Sequence, residues 1–161
     1  MKNDADIAKI VAVEEIKKLK ARYFRAIDTQ NWALLEKLFD EHATADYRGA
    51  ATDPLTGESL VPAATEAVLD GKASIVASLI SGLSGTVSIH MGYMPEIEIT
   101  SLTSATGTWA MSDTLHFPAG SPIAGLSGSG HYFETYECKN DVWLIKALRL
   151  TRLRVNITSA T

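Results

Sequence analysis

The sequence predicts an α+β fold: a curved, mostly antiparallel sheet wrapped around a long N-terminal helix, forming a cone with an internal cavity. Two observations carry this. Apolar residues recur every three or four positions in the N-terminal part, and from Thr86 onward the pattern changes to strand-like alternation. The chain has 161 residues, 46% of them hydrophobic and 21% charged, which suits one domain with a sizeable core and excludes a disordered or fibrous chain.

From about Asp4 to Ile27, Ile7, Ile10, Val11, Val13, Ile16, Leu19, Phe24 and Ile27 mark the apolar stripe of a helix. Asn3 or Asp4 is expected to cap its start, with Lys17, Lys18 and Lys20 on the opposite, polar face. After the break Asp28-Thr29-Gln30-Asn31, a second helix carries Trp32, Leu34, Leu35, Leu38 and Phe39. His42 to Arg48 reads as a short strand, and Gly49 to Leu60 as a loop punctuated by Asp53-Pro54 and Thr56-Gly57. A brief helix is expected over 61–70 and a better one over Lys72–Leu83. Strands follow near 86–92, 95–101, 104–117, 128–139 and 142–155, the last two joined by an Asn140-Asp141 turn, with 118–128 as a mobile hairpin connection.

Fifteen basic against nineteen acidic side chains give a net charge of −4, which argues against a general nucleic-acid binder. The single cysteine, Cys138, excludes an intramolecular disulfide and a multi-thiolate zinc site, and fits a reducing compartment. No apolar run is long enough to span a membrane, and the first residues lack the apolar stretch of a secretory signal, so a soluble cytoplasmic protein is expected. Metal-binding His-Glu-x-x-His spacing, phosphate loops and serine-nucleophile signatures are absent from the sequence, and no metal or cofactor is expected.

Chemistry is therefore sought in protonatable side chains. His90, in an apolar strand, is either a general base or a satisfied core histidine. Trp109, Met111 and Asp113 alternate onto one strand face, so an inward Trp109 carries Asp113 inward with it, paired with a cation or protonated. Arg152 is one partner for it; Arg149 and Arg154 share its strand, where a solvated face is the plainer expectation. Tyr23 and Asp28, five residues apart, point about 140° from each other on an ideal helix and converge only where that helix unwinds or ends at the cavity mouth. Helix packing for Tyr23 and capping of the next helix by Asp28 are the plainer roles. His42, His116 and His131 are expected at the surface.

Four segments taken in order resemble a known family. They are Leu19-Lys20-Ala21-Arg22-Tyr23-Phe24-Arg25-Ala26-Ile27-Asp28, His90-Met91-Gly92-Tyr93-Met94-Pro95-Glu96-Ile97-Glu98-Ile99, Ala105-Thr106-Gly107-Thr108-Trp109-Ala110-Met111-Ser112-Asp113, and Trp143-Leu144-Ile145-Lys146 running on to Arg152. Together they resemble the SnoaL-like branch of the nuclear transport factor 2-like fold, which includes scytalone dehydratase and bile-acid dehydratase. The likeness covers a core of about 12–155 in a single domain spanning 1–161.

The resemblance implies a cofactor-free dehydratase or isomerase acting on a hydrophobic, carbonyl-bearing small molecule such as a steroid, polyketide or aromatic catabolite. The bile-acid enzyme's pattern places its site residues on Tyr23, Asp28, His90, Asp113 and Arg152. In that reading His90 removes a carbon-bound proton, Asp28 orients it, and Tyr23 donates to the developing enolate or the departing hydroxyl. Asp113 is either a neutral second donor or a carboxylate kept ionised by Arg152, with Arg152 then binding an acidic substrate group. The segments 49–71 and 118–128 depart from the bile-acid enzyme and leave the substrate open. Relatives also imply a homo-oligomer, a trimer ahead of a dimer, and the fold equally serves noncatalytic ligand binding or subunit association.

Overall fold

Helix α1 runs Lys2–Asp28 and α2 Trp32–Glu36, followed by β1 (Phe39–Asp46), β2 (Val68–Asp70), α3 (Lys72–Leu83), β3 (Val87–Ile99), β4 (Ser104–His116), β5 (Ile123–Lys139) and β6 (Val142–Ser159). This computed structural model describes residues 2–60 and 67–160. Among the described residues six strands form one open, curved sheet in the order β2-β1-β6-β5-β4-β3. β1 and β6 pair in parallel, and every other neighbour pair is antiparallel. The α+β cone with α1 against the sheet is thus the fold that the two periodicities predict.

The core lies between α1 and the inward residues of the strands. Ile16, Leu19, Tyr23 and Ile27 of α1 meet Trp109, Met111, Tyr132, Tyr136, Ile145 and Leu148, all buried. Inward residues alternate along β4 as Ala105, Trp109, Met111 and Asp113, the period-two face expected of a half-buried strand. Asn140 and Asp141, with φ of 50° and 62°, form the tight turn between β5 and β6, a left-handed geometry that Asn and Asp tolerate.

Several local expectations are corrected. α1 already runs from Lys2, so Asn3 and Asp4 lie inside its first turn instead of preceding it. Its first turns project beyond the sheet, leaving Ile7, Ile10 and Val11 at least half exposed. α2 ends at Glu36 and Phe39 opens β1, because the Leu38 carbonyl accepts the Ile145 amide and draws the chain into the sheet. Of the helix expected over 61–70, residues 61–66 lie outside the described residues, while Val68–Asp70 pair with β1 as a strand. The two strands expected over 86–101 are one, β3, with an irregularity between Gly92 and Pro95 where its register against β4 shifts. The β4–β5 connection is shorter than 118–128, since β5 begins at Ile123.

The largest correction concerns Lys20, which is 1% exposed instead of solvated. It stands four residues after Ile16 and three before Tyr23, in the middle of the core face of α1. Its ammonium meets Glu134 of β5 and lies 3.5 Å from the Tyr132 ring centroid and 4.3 Å from that of Tyr23. Glu134 in turn accepts from the Tyr136 hydroxyl, which accepts from Trp109 Nε1 at 2.8 Å. A buried charge survives only when paired, and here both partners are.

Candidate active site

His90 and Asp28 form a pair. Asp28 is the last residue of α1, so its side chain leaves the helix end and reaches β3 without sharing Tyr23's face. His90 Nδ1 lies 2.6 Å from Asp28 Oδ1, and the His90 backbone amide donates to Oδ2 at 2.9 Å. Ser88 adds a hydroxyl donor to Oδ1 at 2.9 Å. Asn31, not Asp28, caps α2, its side chain accepting from the Leu34 amide at 3.0 Å. Partial burial pushes the Asp28 carboxyl up, but the hydrogen bonds from His90 and Ser88 outweigh it and the net shift is downward. An ionised Asp28 accepts the Nδ1 proton, which leaves Nε2 as the basic nitrogen.

His90 lines a cavity of about 630 Å³ walled mainly by apolar residues such as Ile27, Leu69, Leu79, Leu126 and Leu150. Phe24 lies nearly parallel to the imidazole, with centroids 6.1 Å apart. Gly92 makes that placement possible, because a Cβ there would stand 2.5 Å from Phe24 Cε2. Asp28 is not among the lining residues and braces His90 from behind.

Tyr23 also lines the cavity, and its hydroxyl lies 3.0 Å from that of Tyr47. Burial pushes both phenols up from their usual value, for Tyr23 well above it, so both keep their protons at neutral pH. In such a pair one hydroxyl donates to the other, and the second proton is free to face the cavity. Tyr47 was not identified from the sequence. Its position, just after the alternating strand β1 with Ala43 and Ala45 buried, carries a period-two signal that would have placed it inward.

Asp113 and Arg152 complete the wall. They are buried together, with Arg152 Nη1 and Nη2 donating to Asp113 Oδ1 and Oδ2 at 2.9 and 2.7 Å. Arg152 Nε donates to the Ala50 carbonyl at 2.7 Å, tying the segment after Tyr47 to β6. This two-pronged geometry is that of a carboxylate and a guanidinium. Gly128 of β5 admits it: a Cβ there would stand 2.6 Å from Arg152 Nη1 and 2.9 Å from Asp113 Oδ1. Arg149 and Arg154 are exposed, as are His42 and His116, whereas His131 is half-buried.

The geometry brings Tyr23, His90, Asp113 and Arg152 to one cavity, with Asp28 directly behind His90. Among the described residues no group of three or more His, Cys, Asp or Glu side chains is arranged to hold a metal ion, and no helix is long and apolar enough to cross a membrane.

Similarity to known proteins supports the fold that carries this site. In solved structures, a hexachlorocyclohexane dehydrochlorinase (LinA, type 2) superposes with a TM-score of 0.74 at 14% identity, covering 97% of this chain and 95% of its own. A protein assigned as a scytalone dehydratase from Novosphingobium aromaticivorans gives 0.73 at 16% identity, over 97% and 93%. A Mycobacterium tuberculosis protein of unknown function, Rv3472, gives 0.69 at 21% identity, over 89% and 73%. At these identities the likeness establishes the shared fold. The model of the SnoaL-like domain matches residues 8–149, nearly the whole chain from α1 into β6, and the protein belongs to the SnoaL-like family.

Proposed function

We propose that this protein is a cofactor-independent dehydratase or isomerase that moves a proton beside the carbonyl of a hydrophobic small molecule. The observation that carries the reading is the 2.6 Å contact between His90 Nδ1 and Asp28 Oδ1, with the ring on the wall of a mainly apolar cavity. His90 Nε2 takes a carbon-bound proton, and Asp28 stabilises the imidazolium that results. The electron pair left on carbon moves onto the carbonyl oxygen, and the enolate oxygen accepts a hydrogen bond from the Tyr23–Tyr47 phenol pair. Return of the proton to a β-hydroxyl expels water and gives a dehydratase; return to another carbon gives an isomerase.

The paired geometry of Asp113 favours the ionised form over the neutral donor. Arg152 has both nitrogens of its fork on Asp113 and its Nε on Ala50, which favours a neutral substrate end at this wall over an acidic one. A cavity of about 630 Å³ suits a substrate of steroid, polyketide or aromatic-catabolite size. The names of two structural relatives, a dehydrochlorinase and a dehydratase, denote eliminations, which supports a reaction of that class here.

The test is a screen of purified protein against hydroxylated ketones and steroid acyl derivatives, with product analysis. On the substrate so identified, His90→Ala should lower turnover roughly a hundredfold or more with the fold intact. An unchanged rate refutes the assignment.

A further inference from the structure

Asp28 is placed where a carboxylate is not naturally at ease. The end of α1 is the negative end of the helix dipole, which disfavours an acid there even though the carbonyls of Arg25, Ala26 and Ile27 accept from the amides of Thr29, Asn31 and Gln30. Donors from β3 compensate. Two of them, the Nδ1–H and the backbone amide, belong to His90. The third is Ser88, whose hydroxyl donates to Oδ1 at 2.9 Å. Ser88 stands two residues before His90, so both side chains leave the same face of the strand. It is buried, yet it does not line the cavity.

We propose that Ser88 is a positioning residue for the His90–Asp28 pair: its hydroxyl fixes the rotation of the Asp28 carboxylate so that His90 keeps its proton on Nδ1 and turns a bare Nε2 to the cavity. The inference rests on the functional reading above in taking Nε2 as the base. Oδ2 is anchored by the His90 amide, and a single anchor leaves the carboxylate free to swing about it. The Ser88 hydroxyl is the second anchor, on the oxygen that Nδ1 must find. Without it the Nδ1–H tautomer loses its preferred acceptor geometry, and the Nε2–H tautomer, which is useless as a base, gains population. The other ionisable groups on the cavity wall have partners other than Ser88: Asp113 pairs with Arg152, Tyr23 with Tyr47, Arg48 with Asp46, and the Tyr132 ring with Lys20.

The experiment reads the tautomer directly and needs no substrate. Full-length protein with nitrogen-labelled histidine is examined by long-range proton–nitrogen NMR at a pH where His90 is neutral, with His90→Gln used to assign the signal. In the wild type the Nδ1–H form should dominate. In Ser88→Ala its ratio to the Nε2–H form should fall about three- to tenfold, as expected for the net worth of one hydrogen bond, and Ser88→Thr, which keeps the hydroxyl, should restore it. Ser88→Cys fills the site with a slightly larger, weakly donating group and should show the same loss even where Ser88→Ala does not fold. On an identified substrate, kcat should fall in proportion to the Nδ1–H fraction, and so by less than the tautomer ratio while that form dominates, with KM unchanged because Ser88 does not touch the ligand. An Nε2–H majority in the wild type, or an unchanged ratio in both the Ala and the Cys variants, overturns the inference. Failure of the catalytic reading is separately visible: the tautomer ratio responds to Ser88 while His90→Ala leaves turnover untouched.

Discussion

Replacing Lys20 by methionine isolates the energetic weight of a charge that the chain places in its own core. Methionine keeps most of the aliphatic length of lysine, so packing on α1 is largely preserved while the ammonium is lost. Glu134 then remains buried with the Tyr136 hydroxyl as its hydrogen-bond donor. Removing one partner of a buried ion pair costs about 3–5 kcal/mol, because the other charge is left uncompensated. For a domain of this length that corresponds to a fall in Tm of about 6–20 °C. The companion change Glu134→Gln removes the orphaned charge and keeps an acceptor for Tyr136, so Lys20→Met/Glu134→Gln should return to within about 1 kcal/mol of the wild type.

A pH dependence accompanies the pair. Burial pushes the Lys20 ammonium down to about 8, against an ordinary 10.5. Between those values the unfolded chain holds a proton that the folded one has released, so unfolding takes up a proton and this group's contribution to stability rises with pH across the interval. The double variant should lack that rise. Equilibrium unfolding in urea, at neutral pH and again between pH 8 and 10, measures both effects. A loss below about 1 kcal/mol in Lys20→Met, the size expected of an exposed pair, would refute the reasoning.

Gly128→Ala should push a methyl into the Asp113–Arg152 pair and cost about 1–3 kcal/mol in the same assay, with Arg152 no longer held on both oxygens. Tyr23→Phe and Tyr47→Phe should each lower turnover roughly tenfold or more on an identified substrate. The double Phe variant should be little worse than either single, because the two hydroxyls act as one donor pair. Asp28→Asn should flatten the acid limb of stability. The folded carboxyl of Asp28 lies below its ordinary value, so its ionisation stabilises the wild type fully above about pH 4 and the contribution is lost as pH falls through the lowered value. Difference unfolding curves against the wild type between pH 2 and 5 measure it.

The site was legible in the sequence where its signal was local or carried by family likeness. Alternation tied Asp113 to the face of Trp109, and both are buried. The angular argument that Tyr23 and Asp28 cannot share a helix face also holds, and the structure reconciles them by ending α1 at Asp28. Tyr47, Ser88, Gly92 and Gly128 were not singled out, since each matters through a residue distant in the chain. Gly128 is an ordinary strand glycine until Arg152 and Asp113 meet beside it.

Short-range periodicity therefore determined most of the elements, because a helix or strand face is a property of neighbouring residues. α3 and the long strands of the second half lie close to where the pattern put them. What only the tertiary structure decided were the pairings across the chain. The parallel junction of β1 with β6, the end of α1 against β3, and the meetings of Lys20 with Glu134 and of Arg152 with Asp113 depend on strand order and register. The physical reason is plainest at Lys20. By residue type it belongs in water, and only a carboxylate 114 positions away, brought to the same point by β5, makes its burial tolerable.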